Sequence, residues 1–599
     1  MTDSAIDKFT DVLYRPRVLI VWVTMVALIR FFNLGFLDLQ GWDEGLYALR
    51  SKSIVQFDDW LDQTAYIPGG IATGSYPPLT FWTTALFYKL FGASEWTARL
   101  TSAFFGAASV LVLVLLTHRL SCRGSAGPPT VQRVPAPEER GEVPIRAEAF
   151  AGALFGLNLF TAFYTRQGQL DAAYIFFLIL ATYGWVLSSG EGGGMKGLTL
   201  VALGTCGAFM SKILVGLYIP LILLPLEAAG FWGARRWRGL LRLSAAIVGG
   251  ISLALPWHVI MYLRYGRIFL DAYFGLHLWQ RLAAPIEGHH PALGVLFYIN
   301  QLVVHYPESA LGLGLLVFFI VRRTERTSPV VRLVALAGVW GGIVFAITAI
   351  MATKIPHYIL PIGVPVALFG GFVLARLSEG RLDRRQAGTA LLLLAVATFW
   401  SALWPLREIV KSDVLGMTAI SPYRGLPWPG LLLAAVCTGV SCYTFFRRSS
   451  WETVCRQLRL FPVVFLGLMT LQVALEVIVT DRTHYNVGTG EVASLLRSQG
   501  AQQVIYLGKD LNPALDLYLK GWETWRTDIR LEYYLSEATA LAPKSTRIDD
   551  PGGGETTFLV EEVRVKGEEN FTNLRSIKGD ALVLFANSFY RVYRLTAVH

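Results

Sequence analysis

Long uninterrupted apolar runs constrain the fold of this 599-residue chain more than any other feature of its sequence. A bilayer core takes about 20 apolar residues per helix, so runs of that length predict membrane-spanning helices. About thirteen such runs begin near residues 17, 97, 148, 171, 195, 213, 240, 294, 331, 355, 388, 428 and 459. Charged residues make up only 16% of the chain, where a soluble protein has about 25%. We therefore predict an all-α polytopic membrane protein and exclude a soluble enzyme with a large core.

The positive charge of the chain is distributed as in a membrane protein. The net charge is +10, yet residues 482–599 carry 14 Lys and Arg against 15 Asp and Glu, so the positive excess lies in the apolar part. Alternate loops there are rich in arginine, which marks cytoplasmic loops under the positive-inside rule. A nucleic-acid-binding protein would instead show a basic surface on a soluble domain. We predict a cytoplasmic N-terminus, an extracytoplasmic C-terminal part and no nucleic-acid partner.

The fall in hydrophobicity after the last apolar run predicts two domains. Residues 1–481 form the membrane domain, with two large outer loops at 38–96 and 263–293. Residues 482–599 predict a small soluble α/β domain. Its pattern predicts helices at 490–500 and 512–521 and strands at 504–508, 556–565 and 581–595. Residues 78–92 are short for a span, so we expect an interfacial helix that lies outside the membrane.

Acidic residues stand at the outer ends of two apolar runs. Asp43 and Glu44 follow the first run, and Asp171 opens another. Adjacent carboxylates can act as a general base or bind a hard cation. They can equally be acidic residues that stabilise the first turn of a helix. Both interpretations of the Asp43-Glu44 pair stay open from the residues alone.

Hydrogen-bond donors that suit an anion occur later in the chain, on the same predicted face. Ionisable residues beside membrane spans are costly and by default indicate a functional site. The adjacent histidines His289 and His290 can donate to a phosphate or bind a metal. Membrane-embedded cations beside an apolar bundle suit a lipid that carries a phosphate, and carboxylates suit deprotonation of an attacking hydroxyl. The remaining donors are Lys212, Arg281, Lys354, His357 and Tyr358.

The ordered motifs resemble those of the GT-C membrane glycosyltransferases. The resemblance is to the bacterial branch of the protein O-mannosyltransferase family (glycosyltransferase family 39-like), which includes the aminoarabinose–lipid A transferases. It covers residues from about 17 to 400. The motifs are Asp43-Glu44, Pro77-Pro78-Leu79, Glu95 to Leu100, Arg166 to Asp171, Lys212, Pro256-Trp257 and Lys354 to Pro361.

The resemblance implies a function and a set of site residues. The chain would move a sugar from a polyprenyl-monophosphate donor to an acceptor glycan, lipid or protein at the outer face of a bacterial inner or plasma membrane, with inversion. Asp43 would be the catalytic base, with Glu44 beside it and Asp171 in support. The lipid phosphate would be held by Lys212, Arg281 and Lys354, helped by three further side chains, Tyr358, Tyr76 and His357. It further implies two juxtamembrane helices in the first outer loop.

Two positions differ from the family pattern. Tyr76 stands where many members have a phosphate-binding Lys or Arg, and Ser75 stands where the lipid A branch has an acidic metal ligand. His290 matches a histidine that binds metal in some members. The resemblance therefore implies no certain cofactor and leaves a divalent metal open. A lipid flippase or other transporter and a non-catalytic membrane scaffold are the alternative functions.

Overall fold

The structure is a computed structural model whose described part is mostly helical. The described residues are 9–36, 39, 43–63, 75–122, 146–189, 194–230, 236–285, 294, 296–313, 329–415, 427–447, 450–479, 489–499, 503–507, 557–562, 582–586 and 590–595. The first helices in chain order are α1 (Pro16–Leu28), α2 (Asp43–Phe57), α3 (Leu79–Phe91), α4 (Glu95–Cys122), α5 (Arg146–Leu157), α6 (Leu159–Tyr164), α7 (Asp171–Ser188), α8 (Gly194–Ser211) and α9 (Tyr218–Ala228).

The remaining helices complete the membrane part and lead into the C-terminal region. They are α10 (Arg236–Tyr265), α11 (Arg267–Leu270), a π-helix (Asp271–Gln280), α12 (Arg281–Ala283), α13 (Leu296–His305), α14 (Pro329–Ile350), α15 (Gly363–Ser378), α16 (Arg384–Leu415), α17 (Pro427–Phe446), α18 (Trp451–Leu458), α19 (Phe461–Val479) and α20 (Thr489–Ser498). Short 3₁₀ turns precede α9 and α15, at Val215–Leu217 and Pro356–Ile362.

Within the described ranges, seven helical segments are long and apolar enough to cross a membrane, fewer than the predicted thirteen. The apolar run near residue 148 forms two helices, because the Asn158 side chain accepts a hydrogen bond from the Thr161 amide at 2.9 Å and caps α6. The runs near 213 and 294 form helices of 11 and 10 residues. The seven segments are Glu95–Ser121, Asp171–Ser188, Trp237–Tyr265, Val330–Ile350, Pro356–Ser378, Arg384–Leu403 and Trp451–Leu475.

Small residues allow helices in the bundle to approach closely. A Cβ built on Gly204 of α8 would lie 2.7 Å from the Ala181 backbone nitrogen and 2.8 Å from the Phe177 carbonyl oxygen of α7. Close backbone contact of this kind is how helices pack in lipid, where burial of apolar surface gives little driving force. The pair α7 and α8 supports the site, since Asp171 begins one helix and Lys212 follows the other.

We expect Gly204→Ala to lower stability by about 1–3 kcal/mol, the usual cost of overpacking. The matched control is Gly439→Ala in α17, because a Cβ there meets no atom within 4 Å. That change should leave stability unchanged or raise it by up to about 1 kcal/mol, since alanine favours a helix. Thermal unfolding of both variants in the same detergent measures the difference. Equal melting temperatures would show that α7 and α8 do not pack this closely.

The described part of the first outer loop contains two helices, as the resemblance implied. α2 spans residues 43–57, and α3 spans 79–91 in the segment that the sequence assigned to an interfacial helix. Tyr47 and Ile54 of α2 pack against Phe81 and Ala85 of α3. The Trp82 indole and the Trp257 indole donate to the backbone carbonyls of Trp60 and Leu61, which joins this loop to α10.

The described residues of the C-terminal region form a helix and four strands. α20 lies in the predicted helix, and strands β1 (Gln503–Leu507), β2 (Thr557–Glu562), β3 (Leu582–Ala586) and β4 (Tyr590–Leu595) lie in the predicted strand segments. The strands form a sheet in the order β1-β2-β4-β3, with β1 parallel to β2 and the other pairs antiparallel. The predicted helix at 512–521 lies outside the described residues, and the division into domains stays a prediction.

Candidate functional site

The two adjacent carboxylates of the first outer loop have different environments. Both lie in the first turn of α2, so the helical interpretation of their position holds. Successive residues of a helix point about 100° apart, so two neighbours cannot share one site. Glu44 is 1% exposed, whereas Asp43 is only partly buried. The pair therefore divides into one buried carboxylate and one accessible carboxylate.

Glu44 forms a buried bidentate ion pair with Arg99 of α4. Arg99 Nε and Nη2 lie 2.7 and 2.9 Å from the two carboxylate oxygens, and the Gly168 amide donates to Oε1 at 2.9 Å. Arg99 also donates to the Leu34 carbonyl at 2.7 Å. These contacts tie α2 to α4 and to the turn before α7. Glu44 is thus held in a structural ion pair beside the candidate site, and its predicted catalytic role stays a prediction.

Asp171 and Lys212 form a second ion pair at the ends of α7 and α8. Lys212 Nζ lies 2.9 Å from Asp171 Oδ1. The Lys212 side chain is 19% exposed and the Asp171 side chain is 3% exposed. The ammonium also lies 5.4 Å from the centroid of the Tyr174 ring. Leu214, two residues later, has a φ of +55°, a left-handed conformation that is rare for a branched residue. α8 thus ends at Ser211, directly before Lys212, and the chain turns at Leu214.

Arg281 and Tyr358 meet through a hydrogen bond of 2.5 Å from Nη1 to the phenol oxygen. Backbone bonds hold their segments together: the Thr353 amide donates to the Arg281 carbonyl at 3.0 Å, and the Ala352 amide to the Leu282 carbonyl at 3.1 Å. The loop after α14 is thereby fixed against α12. This contact places two donors that are 77 residues apart in sequence at one point.

Tyr76 connects the first outer loop to these donors. Its ring lies 4.7 Å from the His277 ring, and it interacts electrostatically with Arg281, Lys212 and Asp43. Burial raises the pKa of the Tyr76 phenol, so the group stays protonated and can donate a hydrogen bond. We call the residues of these contacts the polar cluster: Asp43, Tyr76, Asp171, Lys212, Arg281, His357 and Tyr358.

His357 and Lys354 occupy different surroundings from one another. His357 belongs to the polar cluster because it interacts electrostatically with Asp171 and packs its ring 5.2 Å from Tyr164. Lys354 instead donates from Nζ to the carbonyls of Thr348 and Ala349, at 3.1 and 2.6 Å. A lysine in this position caps the C-terminus of a helix, here α14. The structure thus gives Lys354 a helix-capping contact, and its role as a phosphate ligand stays a prediction.

The residues that would hold a divalent metal are not assembled in the described part of the chain. No group of three or more His, Cys, Asp and Glu side chains there could share an ion. His290 lies outside the described residues, and Ser75, a buried hydroxyl, is a poor substitute for a carboxylate ligand. The described residues therefore do not fit a metal site.

An apolar pocket of about 320 Å³ lies between segments of the chain that precede or follow Lys212 and His277. Phe209 and Leu214 of its wall flank Lys212 in sequence, and Tyr273 and Phe274 precede His277 on the π-helix. The other walls come from α10 and α11, and the lining is almost entirely hydrocarbon and aromatic. Such a pocket accommodates an apolar chain whose polar end reaches the cluster.

Sequence reasoning missed two of the residues that shape the site. Arg50 is fully buried beside Tyr76, and the His277 ring packs against the same tyrosine. An arginine in a helix that also contains Asp, Glu, Ser, Lys and Gln looks like a solvent-exposed residue, so no local pattern identified it. The neighbouring motif Glu95 to Leu100 was recognised, but the pairing of its arginine with Glu44 requires the fold.

The chain is similar to known glycosyltransferases. Residues 75–126 match the family model described as dolichyl-phosphate-mannose-protein mannosyltransferase. The undecaprenyl phosphate-alpha-4-amino-4-deoxy-L-arabinose arabinosyl transferase of Pseudomonas paraeruginosa is 27% identical over 363 residues, which is 59% of this chain and 59% of that relative. The protein of the same name from Pseudomonas savastanoi pv. phaseolicola is 25% identical over 86% of this chain and 87% of its own length.

A solved structure shares the fold over almost the whole chain. ArnT from Cupriavidus metallidurans bound to undecaprenyl phosphate superposes with a TM-score of 0.67 and 18% identity, covering 97% of this chain and 99% of that one. The apo state of the same protein gives 0.65. The predicted resemblance is confirmed: this chain is an integral membrane protein that shares the GT-C fold of ArnT, is similar in sequence to the aminoarabinose transferases, and matches the protein mannosyltransferase model over residues 75–126.

Proposed function

We propose that this chain is a glycosyltransferase that moves a sugar from a polyprenyl-monophosphate donor to an acceptor hydroxyl or phosphate. The observation that carries this proposal is that Lys212 and Arg281 both interact with Tyr358. Lys212 also lies, in sequence, between two residues that line an apolar pocket, Phe209 and Leu214. A lipid phosphate has the complementary form, because its headgroup is anionic and its tail is apolar. The relatives' names, which specify undecaprenyl phosphate and an aminoarabinose, support the same class of donor.

The proposed reaction is a direct displacement at the anomeric carbon. The acceptor oxygen attacks that carbon on the face opposite the phosphate, and the bond between the carbon and the phosphate oxygen breaks. Asp43 takes the proton of the acceptor hydroxyl, and the bonding electron pair leaves with the lipid phosphate. A single displacement inverts the configuration at the anomeric carbon. No step in this scheme draws on a metal ion.

The cations of the polar cluster stabilise the departing phosphate. Positive groups that are already in place lower the barrier most where negative charge develops during the reaction. Lys212 and Arg281 supply that charge, and the Tyr358 hydroxyl, which already accepts a hydrogen bond from Arg281, can donate its own proton to a phosphate oxygen. Asp171 holds the Lys212 ammonium in position. In this scheme Asp43 acts on the attacking hydroxyl and Lys212 acts on the departing phosphate.

The proposal extends to the topology of the chain. We infer about thirteen spans, with some formed by helices shorter than the apolar runs, and a cytoplasmic N-terminus with the polar cluster at the outer face. Residues 482–599 would form an extracytoplasmic α/β domain, which the strand pattern of β1 to β4 supports. Arginine-rich loops on one side of the predicted spans support the orientation.

Donor consumption by the purified full-length protein tests the proposed reaction. The protein in detergent receives undecaprenyl phosphate carrying radiolabelled 4-amino-4-deoxy-arabinose or mannose, with membrane extract as acceptor. We expect release of sugar from the lipid to fall by roughly 100-fold or more in Lys212→Met, since removal of one stabilising donor costs about that much. The matched control is Lys89→Met, which removes an exposed ammonium of α3 that pairs with Asp58.

The controls separate the competing functions. A chelator added to the wild-type protein tests whether a divalent metal is required. Wild-type protein that consumes no donor, but moves it between the leaflets of a liposome, would overturn the transferase in favour of a flippase. Equal turnover by wild type and Lys212→Met would remove Lys212 from the phosphate site.

A further inference from the structure

Arg50 is a buried cation whose N–H groups donate no hydrogen bond to the described residues. The side chain is 0% exposed, and Nε, Nη1 and Nη2 have no hydrogen-bond partner among the described residues. A guanidinium has five donors, and proteins rarely bury one without satisfying them, because the loss of hydration is costly. Burial lowers the pKa of Arg50 to about 10, so the side chain still carries its positive charge at neutral pH. The Asp43 carboxylate acts on Arg50 electrostatically and favours the charged form, but among the described residues no group accepts a hydrogen bond from the guanidinium.

Three aromatic rings surround the guanidinium. Its central carbon lies 5.8 Å from the Tyr47 ring centroid, 5.4 Å from that of Tyr76 and 5.5 Å from that of Phe81. Each distance is within the range of a cation–π interaction, which strengthens when the cation is desolvated. The cage comes from α2, α3 and the segment between them, so it depends on the packing of the first outer loop. It offsets part of the desolvation of Arg50 but leaves the donors unused.

Tyr76 is the ring that connects this cage to the polar cluster. Arg50 contacts it at 5.4 Å and His277 contacts it at 4.7 Å. Lys212 and Arg281 also act on Tyr76 electrostatically. A cation against the ring of a phenol withdraws electron density and makes the hydroxyl a stronger hydrogen-bond donor. The positive charge of Arg50 therefore acts on the same Tyr76 side chain as the two cluster cations.

We propose that Arg50 is a positioning residue for the anionic headgroup of the lipid donor and that it acts through Tyr76. The guanidinium holds the Tyr76 ring in place and adds a buried positive charge behind it, so that the Tyr76 hydroxyl binds a phosphate oxygen. Together the Arg50 charge and the Tyr76 hydroxyl bind the phosphate as a single cationic side chain would. This inference rests on the proposed function, because it assumes that the polar cluster binds a phosphate.

Binding of two lipids that differ only in the headgroup tests the inference. Native mass spectrometry of the full-length protein in detergent compares undecaprenyl phosphate with undecaprenol. We expect Arg50→Met to weaken binding of the phosphate lipid by on the order of tenfold, from the loss of one charge several ångströms away. Binding of undecaprenol should not change. Arg50→Lys, which keeps the charge, should retain most of the affinity, and Arg267→Met, which removes a 90% exposed arginine side chain, should retain all of it.

Moving the positive charge from residue 50 to residue 76 gives the most discriminating comparison in this experiment. Tyr76→Lys in the wild-type background places two cations together and should weaken phosphate binding or folding. In the Arg50→Met background the same change supplies the missing cation, and binding of undecaprenyl phosphate should recover. Such opposite effects of one substitution are a coupling that independent sites do not show. Inorganic phosphate added as a competitor separates recognition of the phosphate alone from recognition of the whole lipid.

The outcomes separate the inference from the proposed function. Wild-type protein that binds both lipids equally would contradict the phosphate site itself. Wild-type protein that prefers the phosphate lipid, with Arg50→Met preferring it to the same extent, would overturn the role of Arg50 alone. Equal loss of both lipids in Arg50→Met would show that the aromatic cage serves packing only, which also overturns the inference.

Discussion

Asp43→Asn is expected to abolish sugar transfer while leaving the fold and donor binding intact. An amide cannot accept the proton of the attacking hydroxyl, and loss of a general base typically costs about 10²–10⁴ in rate. The side chain is only partly buried at the start of α2, so exchange for a residue of equal size should disturb little packing. Its electrostatic neighbours Tyr76 and Tyr47 place it at the edge of the polar cluster.

Rates of donor consumption for purified wild type and Asp43→Asn measure this effect, alongside binding of undecaprenyl phosphate. Asp58→Asn is the matched control, because Asp58 is an exposed carboxylate of the same loop that pairs with Lys89 at 3.0 Å. That variant should keep its full rate. An Asp43→Asn enzyme with unaltered turnover would remove Asp43 as the base.

Glu44→Met should destabilise the protein by roughly 3–5 kcal/mol, the usual loss when one partner of a buried ion pair is removed. Arg99 would keep its charge with a side chain that is 8% exposed, and the Gly168 amide would lose its acceptor. The double variant Glu44→Met/Arg99→Met removes both charges and should recover much of the stability. Recovery should be incomplete, because the Leu34 carbonyl loses the hydrogen bond from Arg99.

Thermal unfolding in detergent of the wild type, both single variants and the double variant gives the coupling between the two side chains. Asp43→Asn is the internal control, since it changes the adjacent carboxylate, and its melting temperature should stay close to that of the wild type. Additive losses in the double variant would mean that Glu44 and Arg99 do not form the buried pair.

Features that depend on local pattern could be predicted before the structure. The apolar runs predicted a helical membrane protein, and the segments of α3 and α20 were correctly assigned to helices from their pattern. The order of short motifs indicated the family resemblance. Apolar run length alone could not give the bounds of each helix, because a capping residue such as Asn158 divides an apolar run while the residues around it stay apolar.

Features that depend on which side chains meet required the tertiary structure. Asp43 and Glu44 are adjacent in sequence, yet their different directions on α2 make one accessible and give the other to Arg99. The Asp171–Lys212 and Arg281–Tyr358 contacts join residues 41 and 77 positions apart. No local sequence pattern identifies Arg50, since the aromatic rings around it come together only when α2 packs on α3. Periodicity reports the environment of a helix face, whereas ion pairs and cages depend on distances between segments that only the folded chain brings together.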